Sequence, residues 1–198
     1  MLDPLKSTPE IKGLYINGQW QRSQGQFDST NPCDGSLWSR VPDAGRTETR
    51  QAIEAANGAF PDWSRLKFQE RAEMMLKIAE VISKRAPDFI AAAQMEGGGW
   101  YGKGAYEVKA LSEIFKSAAA ACYAPIGEIL PSLNGKFSTA VRVPLGVVAV
   151  LSPWNFPGIL AARPFSFIMA AGNTVVLKPS EETPYMGGVF FAEVIEEA

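Results

Sequence analysis

The stretch "VVAVLSPWNFPGILAARP", residues 147–164, decides how this chain of 198 residues folds. It begins with five consecutive apolar residues, most of them β-branched, which is typical of a strand covered on both faces. Ser152 and the proline-bounded group 153–157 interrupt the run. Residues 158–171 then carry apolar side chains at helical spacing, and Gly172 ends the pattern. The stretch therefore predicts a buried strand, a short loop and a helix.

A second strand and a second helix follow at once. Residues 174–179, "TVVLKP", predict another buried strand, and residues 184–197 predict another helix. Because strand and helix alternate, we expect a parallel sheet with right-handed crossovers. Ligands of such sheets bind beyond the carboxyl ends of the strands. The predicted ligand edge therefore contains residues 152–157 and 178–182.

The earlier part of the chain predicts short antiparallel strands followed by a layer of helices. Asn17-Gly18 lies between two strand-forming segments and favours a hairpin with a type I′ turn. Further short strands are predicted around Phe27 and over residues 37–41. Four helices come next, because apolar residues recur at helical spacing. Thr47 is predicted to cap the first helix, and Pro61-Asp62 to separate it from the second.

The pattern changes after the fourth helix, which is predicted over residues 105–123. Residues 127–143 contain Asn134-Gly135 between two segments of alternating polarity, which predicts a second hairpin. This hairpin projects and leaves an unpaired strand edge, which proteins usually cover or use for association. Two parallel strands make an incomplete sheet, so we expect the last unit to be the beginning of a larger, truncated domain. The predicted units are 1–125 with the first hairpin and the helices, 126–145 with the projecting hairpin, and 146–198 with the βαβα series.

The composition excludes several classes of function. The net charge of −2 and the pI near 5.3 give no basic surface for nucleic acid or for an anionic membrane. No apolar leader and no apolar run of membrane-spanning length is present, so we expect a cytoplasmic protein. The chain has no histidine, which removes Ser-His-Asp and Cys-His nucleophile systems and nearly all zinc sites from within it. We therefore expect no metal site.

Two other features of the sequence are assigned no role in catalysis. Cys33 lies in a turn-rich segment and Cys122 on an apolar helical stripe, so we expect neither a disulfide nor a reactive thiol. Gly97, Gly99 and Gly102 have the spacing of a dinucleotide-binding loop, but helical residues precede them where that motif needs a strand. We expect these glycines to form a turn between two helices.

Asn155 has two interpretations that its position alone does not separate. Asparagine is favoured at the N-cap of a helix, and a proline soon after it fits the first turn. Its carboxamide also supplies two uncharged N–H donors, which stabilise an oxygen that gains negative charge in a reaction. The flanking prolines restrict the backbone, and a donor that is held in place stabilises such an oxygen better than a mobile one.

The charged residues near the predicted ligand edge also have two interpretations. Lys178 is either a solvated lysine or a donor to a polar ligand. Glu181 either stabilises the first turn of a helix or accepts hydrogen bonds from ribose hydroxyls, as the acidic residue of dinucleotide folds does. Arg163, about two helical turns beyond Asn155, is either a surface charge or part of a substrate entrance.

Four segments of the chain form a recognisable set: "LYINGQW" (14–20), "STNPCDGSLWSRVPDA" (29–44), "VRVPLGVVAVLSPWNFP" (141–157) and "AAGNTVVLKPSEETP" (170–184). Together they are similar to the NAD(P)-dependent aldehyde dehydrogenase superfamily. The resemblance runs from about Gly13 to Ala198, and the separation of "PWNFP" from "GNTVVLKPSEETP" is its most specific feature. It implies an α/β fold with an N-terminal helical layer, the beginning of a Rossmann-type parallel sheet, and a hairpin that pairs subunits into a homodimer or homotetramer.

The resemblance implies a site for NAD, with NADP as the open alternative. Lys178 and Glu181 are similar to the residues that hold the adenosine ribose in the family. Ser152, Pro153 and Trp154 resemble the loop that lines the cofactor cleft. The carboxylate of Glu181 favours NAD, because it would repel the additional phosphate of NADP.

The resemblance also implies a site for an aldehyde. Asn155 is similar to the asparagine that stabilises the oxyanion, and Phe156 and Leu160 resemble walls of the aldehyde tunnel. Arg163 and its neighbours "ILAARP" are similar to members that act on aromatic aldehydes. In the family a cysteine thiolate attacks the aldehyde, a hydride passes to nicotinamide, and the thioester is hydrolysed to the acid.

The catalytic cysteine and the general-base glutamate of the family lie further along than residue 198. We therefore expect this chain alone to be inactive and the complete enzyme to oxidise an aldehyde. The alternatives are a non-catalytic nucleotide-binding or subunit-association protein on the same fold, and a purely structural α/β domain. A cysteine and a glutamate in frame downstream would favour the enzyme.

Overall fold

The computed structural model describes residues 11–198, over which strands and helices follow in the predicted order. The N-terminal strands are β1 (Leu14–Ile16), β2 (Gln19–Gln21), β3 (Gly25–Thr30) and β4 (Leu37–Asp43). The helical layer contains α1 (Arg46–Arg65), α2 (Phe68–Lys84), α3 (Ala86–Met95) and α4 (Tyr101–Ala121). The remaining elements are β5 (Gly127–Leu130), β6 (Ser138–Val141), β7 (Val147–Leu151), α5 (Pro157–Ala170), β8 (Thr174–Lys178), a π-helical turn (Tyr185–Val189) and α6 (Phe190–Glu197).

The antiparallel pairs confirm the predicted hairpins. Strands β1 and β2 pair directly, and the turn residues Asn17 and Gly18 have φ values of 54° and 71°. These left-handed conformations are those that a type I′ turn requires. Strands β5 and β6 pair in the same way around Asn134, whose φ is 56°. Large apolar side chains of this second hairpin are exposed, Leu133 and Phe137 most of all.

Two predictions about the first helix are wrong. Helix α1 begins at Arg46, so Thr47 lies inside its first turn, and the Glu48 carboxylate accepts a hydrogen bond from the N–H of Gly45 at 2.9 Å. The helix also continues through Pro61, although an interior proline removes a backbone hydrogen bond and crowds the preceding turn. The break comes at Lys67, whose N–H donates to the carboxylate of Glu70 at 2.7 Å and starts α2.

Helices α2, α4, α5 and α6 share one apolar core. Phe115 of α4 lies at its centre, with ring centroids 6.1 Å from Phe165 and 6.4 Å from Phe191. Phe89 packs edge to face on Phe190 at 5.0 Å. Helices α5 and α6 therefore pack on the earlier helices in a single core, and the division into units 1–125, 126–145 and 146–198 stays a prediction.

The parallel pairing of β7 and β8 confirms the predicted crossover, but the sheet is less covered than expected. The strands pair in register from Val147 opposite Thr174 to Leu151 opposite Lys178. Only Val150 of β7 is fully buried, and Leu151 is 76% exposed. A cavity of about 1070 Å³, lined by residues of α1, β1 and this sheet, lies beside the strands. The prediction that β7 is covered on both faces is therefore wrong for residues 11–198.

The last predicted helix is interrupted at its start. Residues 185–189 form a π-helical turn before α6 begins. A Cβ atom on Gly188 would lie 2.6 Å from the side chain of Pro179, and one on Gly187 would lie 3.1 Å from it. The two glycines therefore let this turn lie against the loop that follows β8. No helix within residues 11–198 is both long and apolar enough to cross a bilayer.

Candidate active site

The two predicted loops begin side by side at the carboxyl edge of the parallel sheet. Leu151 and Lys178 are paired residues at the ends of β7 and β8. The N–H of Ser152 donates to the carbonyl oxygen of Lys178 at 3.1 Å, which extends the pairing into the first loop. This edge is where open parallel sheets bind ligands. The structure therefore brings residues 152–157 and 178–182 to one place, as predicted.

The first loop is held at both of its ends. The buried Ser152 hydroxyl donates to the carbonyl oxygen of Pro157 at 3.2 Å and so closes the loop on itself. Pro157 is the first residue of α5, a position where its fixed φ suits a helix. Pro153 and Trp154 between these ends are exposed and do not line the cavity beside the sheet. The loop therefore has a fixed frame and an exposed centre.

Asn155 is not the N-cap of α5. Phe156 occupies the N-cap position, with φ −139° and ψ 65°, and no side chain caps the helix there. Asn155 is exposed, and within residues 11–198 no hydrogen bond reaches its carboxamide. The N-cap interpretation is therefore wrong, and both N–H donors of this exposed side chain are without a partner among residues 11–198.

The three predicted substrate residues lie along one side of α5. Phe156, Leu160 and Arg163 are spaced by four and three residues, which places them on the same face of a helix. Phe156 is 38% exposed, Leu160 is half-buried and Arg163 is exposed. The ammonium of Lys103 on α4 lies 5.0 Å from the centroid of the Phe156 ring. Among the described residues Arg163 has no acidic partner within ion-pair distance.

Lys178 and Glu181 form an exposed ion pair after β8. The Lys178 ammonium lies 3.2 Å from the Glu181 carboxylate, and both side chains are more than half exposed. A hydrogen bond from its own backbone N–H, followed by the contact with Lys178, keeps the pKa of Glu181 below its ordinary value. Glu181 is therefore ionised at neutral pH. Both residues border the cavity of about 1070 Å³, so a polar ligand there can reach them.

The structure also shows two buried glutamates that the sequence analysis missed. Glu107 of α4 is fully buried, and its carboxylate accepts hydrogen bonds from Gly158 and Ile159 in the first turn of α5. Burial raises the pKa of Glu107, against the lowering effect of these bonds and of Lys103. The signal in the sequence was an acidic residue on an apolar helical stripe. Glu107 comes three residues after Gly104 and one residue before Val108.

Glu96, just after α3, has the same role at the second loop. One of its oxygens accepts the N–H of Tyr185 at 2.9 Å, and the other accepts the N–H of Met186 at 2.9 Å. Burial raises the pKa of Glu96 to about 7, although these backbone bonds lower it. Each loop at the ligand edge is therefore followed by a helical segment whose first N–H groups are held by a buried glutamate.

We expect Glu96 to make the stability of the protein pH-dependent. Its pKa rises from 4.5 to about 7 on folding, so between these values the folded state binds the proton that the unfolded state has lost. Ionisation of Glu96 therefore lowers the free energy of unfolding by about 3 kcal/mol as pH rises from 4.5 to 7. Urea denaturation at several pH values in this range measures the free energy of unfolding of the natural protein and of Glu96→Gln. The difference between the two proteins should change with pH. A difference that does not vary with pH would contradict the assignment, and Glu113→Gln is the exposed control.

The glycine triplet and the cysteines lie outside the two loops of the ligand edge. Gly97 and Gly99 connect α3 to α4, as expected, whereas Gly102 lies inside α4 and is covered by the ring of Trp100, which leaves no room for a Cβ atom. Cys33 is exposed. Cys122 is buried, and its Sγ contacts the carbonyl oxygen of Ala170 at the C-terminal end of α5, opposite to Asn155.

Similar proteins are known for nearly the whole of this chain. The Aldehyde dehydrogenase family matches residues 20–198. A vanillin dehydrogenase of Pseudomonas fluorescens is 40% identical over 176 residues, which cover 86% of this chain and 36% of that protein. A benzaldehyde dehydrogenase [NAD(+)] of Pseudomonas putida is 32% identical over 98% of this chain and 40% of its own length. The chain thus spans about two fifths of the relatives that it matches.

Solved structures show the same fold. An NAD-dependent benzaldehyde dehydrogenase from Corynebacterium glutamicum superposes with a TM-score of 0.90 at 32% identity, over 96% of this chain and 42% of that one. A 1-pyrroline-5-carboxylate dehydrogenase from Thermus with bound NAD gives a TM-score of 0.90 at 27% identity, over 98% of this chain and 38% of that one. The match over residues 20–198, together with these likenesses, shows that the chain belongs to the aldehyde dehydrogenase family.

Proposed function

We propose that this chain forms the oxyanion-stabilising and cofactor-binding part of an NAD-dependent aldehyde dehydrogenase. The observation that carries the proposal is the free carboxamide of Asn155 at the ligand edge of the sheet. It is exposed, it has no internal hydrogen bond among residues 11–198, and it lies on a loop fixed at both ends. An exposed asparagine that caps nothing, on a loop at the ligand edge, is suited to donate to a bound oxygen.

The chemistry follows from what such a donor does. When a thiolate adds to an aldehyde, the carbonyl oxygen becomes an alkoxide and gains a full negative charge. A fixed N–H donor stabilises that charge and lowers the barrier, typically by about 3–4 kcal/mol. Lys178 and Glu181 would hold the ribose of NAD, which would supply the hydride acceptor for the resulting tetrahedral species. Hydrolysis of the thioester then gives the carboxylic acid.

We propose that the nucleophile and the general base come from residues outside these 198. Cys122 is buried at the far end of α5, and burial raises the pKa of its thiol, so it is not a thiolate at neutral pH. Cys33 lies in the turn between β3 and β4, and its Sγ is near Gly98 of the segment that joins α3 to α4. The proposal therefore assigns the attacking sulfur to neither cysteine. On this proposal the 198 residues alone oxidise no aldehyde.

The donor set after β8 suits the ribose of a dinucleotide. The ionised Glu181 carboxylate accepts hydrogen bonds from paired hydroxyls, and Lys178 donates one. A negative charge at this place disfavours the additional phosphate of NADP. Relatives named as NAD-dependent and as NADP-dependent both share this fold, so the preference for NAD rests on Glu181.

We expect Glu181→Gln to raise the KM for NAD by about 10-fold, because it removes the charge from a hydrogen bond to ribose. The ratio of kcat/KM for NADP to that for NAD should rise at the same time, since the repulsion is lost. Initial rates with both cofactors measure this. Glu182→Gln, at the exposed neighbouring position, is the matched control. An unchanged cofactor ratio in Glu181→Gln would contradict the assignment.

We propose an aromatic aldehyde as the substrate. Phe156 and Leu160 offer apolar surface beside Asn155, and Arg163 has no acidic partner among the described residues. Several relatives are named for aromatic aldehydes, such as the salicylaldehyde dehydrogenase of Pseudomonas putida G7, with 31% identity and a TM-score of 0.89 over 93% of this chain and 38% of that one. We also propose that the hairpin β5–β6, with its exposed apolar side chains, pairs subunits of the complete protein.

NADH formation by the product of the complete gene tests the proposed function. We expect turnover with benzaldehyde and vanillin at a kcat/KM at least about 10-fold above that with propanal, since an aromatic ring buries more apolar surface. The 198-residue chain is the inactive control. Absence of NADH with every aldehyde would contradict the enzyme and favour a non-catalytic protein.

A further inference from the structure

The first turn of α5 is held by a side chain of another helix. Glu107 Oε2 accepts the N–H of Gly158 at 2.8 Å and the N–H of Ile159 at 3.2 Å. Glu107 is fully buried, and a buried carboxylate is costly unless hydrogen bonds satisfy it. These two bonds therefore fix the place where α5 begins relative to α4.

The packing around this contact leaves little freedom. A Cβ atom on Gly158 would lie 2.6 Å from the ring of Phe89 and 3.1 Å from Glu107 Oε2. The backbone of the first turn is thus pressed between an aromatic ring and the carboxylate. Only a glycine permits this approach, so the position of the turn is defined by packing as well as by hydrogen bonds.

The second oxygen of Glu107 lies near a lysine that contacts the same end of the loop. Oε1 has no hydrogen-bond partner among residues 11–198 and lies 3.7 Å from the ammonium of Lys103. That ammonium lies 5.0 Å from the centroid of the Phe156 ring. The two residues of α4 therefore hold the backbone at Gly158 and the side chain of Phe156, the residue next to Asn155.

We infer that Glu107, assisted by Lys103, is a positioning residue that sets the place of the Asn155 carboxamide through the first turn of α5. This inference rests on the proposed role of Asn155. Glu107 also occupies the N–H groups of Gly158 and Ile159, which would otherwise compete with Asn155 for a bound oxygen. The carboxamide of Asn155 is then the donor that binds the oxyanion.

The expected size of the effect follows from geometry. A misplacement of about 1 Å in a reacting group costs roughly 100-fold in rate. We expect Glu107→Leu, which keeps the volume and removes the acceptor, to lower kcat by about 10- to 100-fold with little change in the KM for NAD. We expect Glu107→Gln, which still offers one oxygen to Gly158 and Ile159, to stay within about 3-fold of the natural enzyme.

A double-mutant cycle in the complete enzyme distinguishes positioning from general damage to the fold. If Glu107 acts through Asn155, Glu107→Leu has no further effect on kcat once Asn155 is alanine. Glu113→Leu is the matched control, because Glu113 lies on the same helix but is exposed and pairs with Lys116. It should leave kcat unchanged in both backgrounds.

The outcomes separate this inference from the proposed function. If Asn155→Ala itself leaves kcat unchanged, the proposed role of Asn155 fails and the inference with it. If Asn155→Ala lowers kcat while Glu107→Leu does not, or lowers it equally in both backgrounds, only the inference is overturned. An effect of Glu107→Gln as large as that of Glu107→Leu also overturns it. Should Glu107→Leu not fold, Gly158→Ala gives the same test, because its Cβ pushes the first turn away from Glu107.

Discussion

Asn155→Ala in the complete enzyme should lower kcat by about 100- to 1000-fold, which is the usual loss when one oxyanion donor is removed. The KM for the aldehyde should change little, because the donor acts on charge that develops only in the transition state. The side chain has no internal hydrogen bond within residues 11–198, so the melting temperature should stay the same. Steady-state kinetics and thermal unfolding measure both effects.

Asn155→Asp is the stricter variant of this experiment. It keeps the size of the side chain but replaces the donors by a carboxylate, which accepts hydrogen bonds and repels an oxyanion. We expect it to be at least as deficient as the alanine variant. Activity retained by Asn155→Asp would contradict the role, since shape alone would then suffice.

Phe115→Ala should cost the largest amount of stability, about 3–5 kcal/mol in the free energy of unfolding. Phe115 is fully buried, and its ring contacts those of Phe165 on α5 and Phe191 on α6. Its removal leaves a cavity at the point where three helices meet. Urea denaturation followed by circular dichroism measures the loss.

Phe68→Ala is the matched control for this core position. Phe68, at the start of α2, is 42% exposed and contacts only the edge of the Tyr123 ring among aromatic partners within the described chain. Its loss should cost about 1 kcal/mol or less. Equal losses at the two positions would contradict the account of the core.

The fold was predictable where local rules decide it. Asn17-Gly18 and Asn134-Gly135 adopt the left-handed conformations that their residue types favour. The β-branched run of β7 pairs in parallel with β8, as the alternation of strand and helix required. Thr47 was misjudged because α1 already begins at Arg46, where the carboxylate of Glu48 accepts the N–H of Gly45. Pro61 was misjudged because α1 accommodates it and ends only at Arg65.

The site was predictable only in part, because its supports come from distant elements. Position at the sheet edge pointed to Asn155, Lys178 and Glu181. Glu96 and Glu107 act across 51 to 90 residues of sequence, on N–H groups that no local pattern marks. A carboxylate on an apolar helix face signals such a contact but not its partner.

A crystal structure of the complete enzyme with benzaldehyde and without NAD tests the central claim most directly. Without a hydride acceptor the reaction stops at the tetrahedral adduct, whose oxygen carries the charge. We predict that Asn155 Nδ2 lies about 2.7–3.1 Å from that oxygen. An adduct oxygen that instead contacts the backbone of the first turn of α5, or only water, would contradict the account.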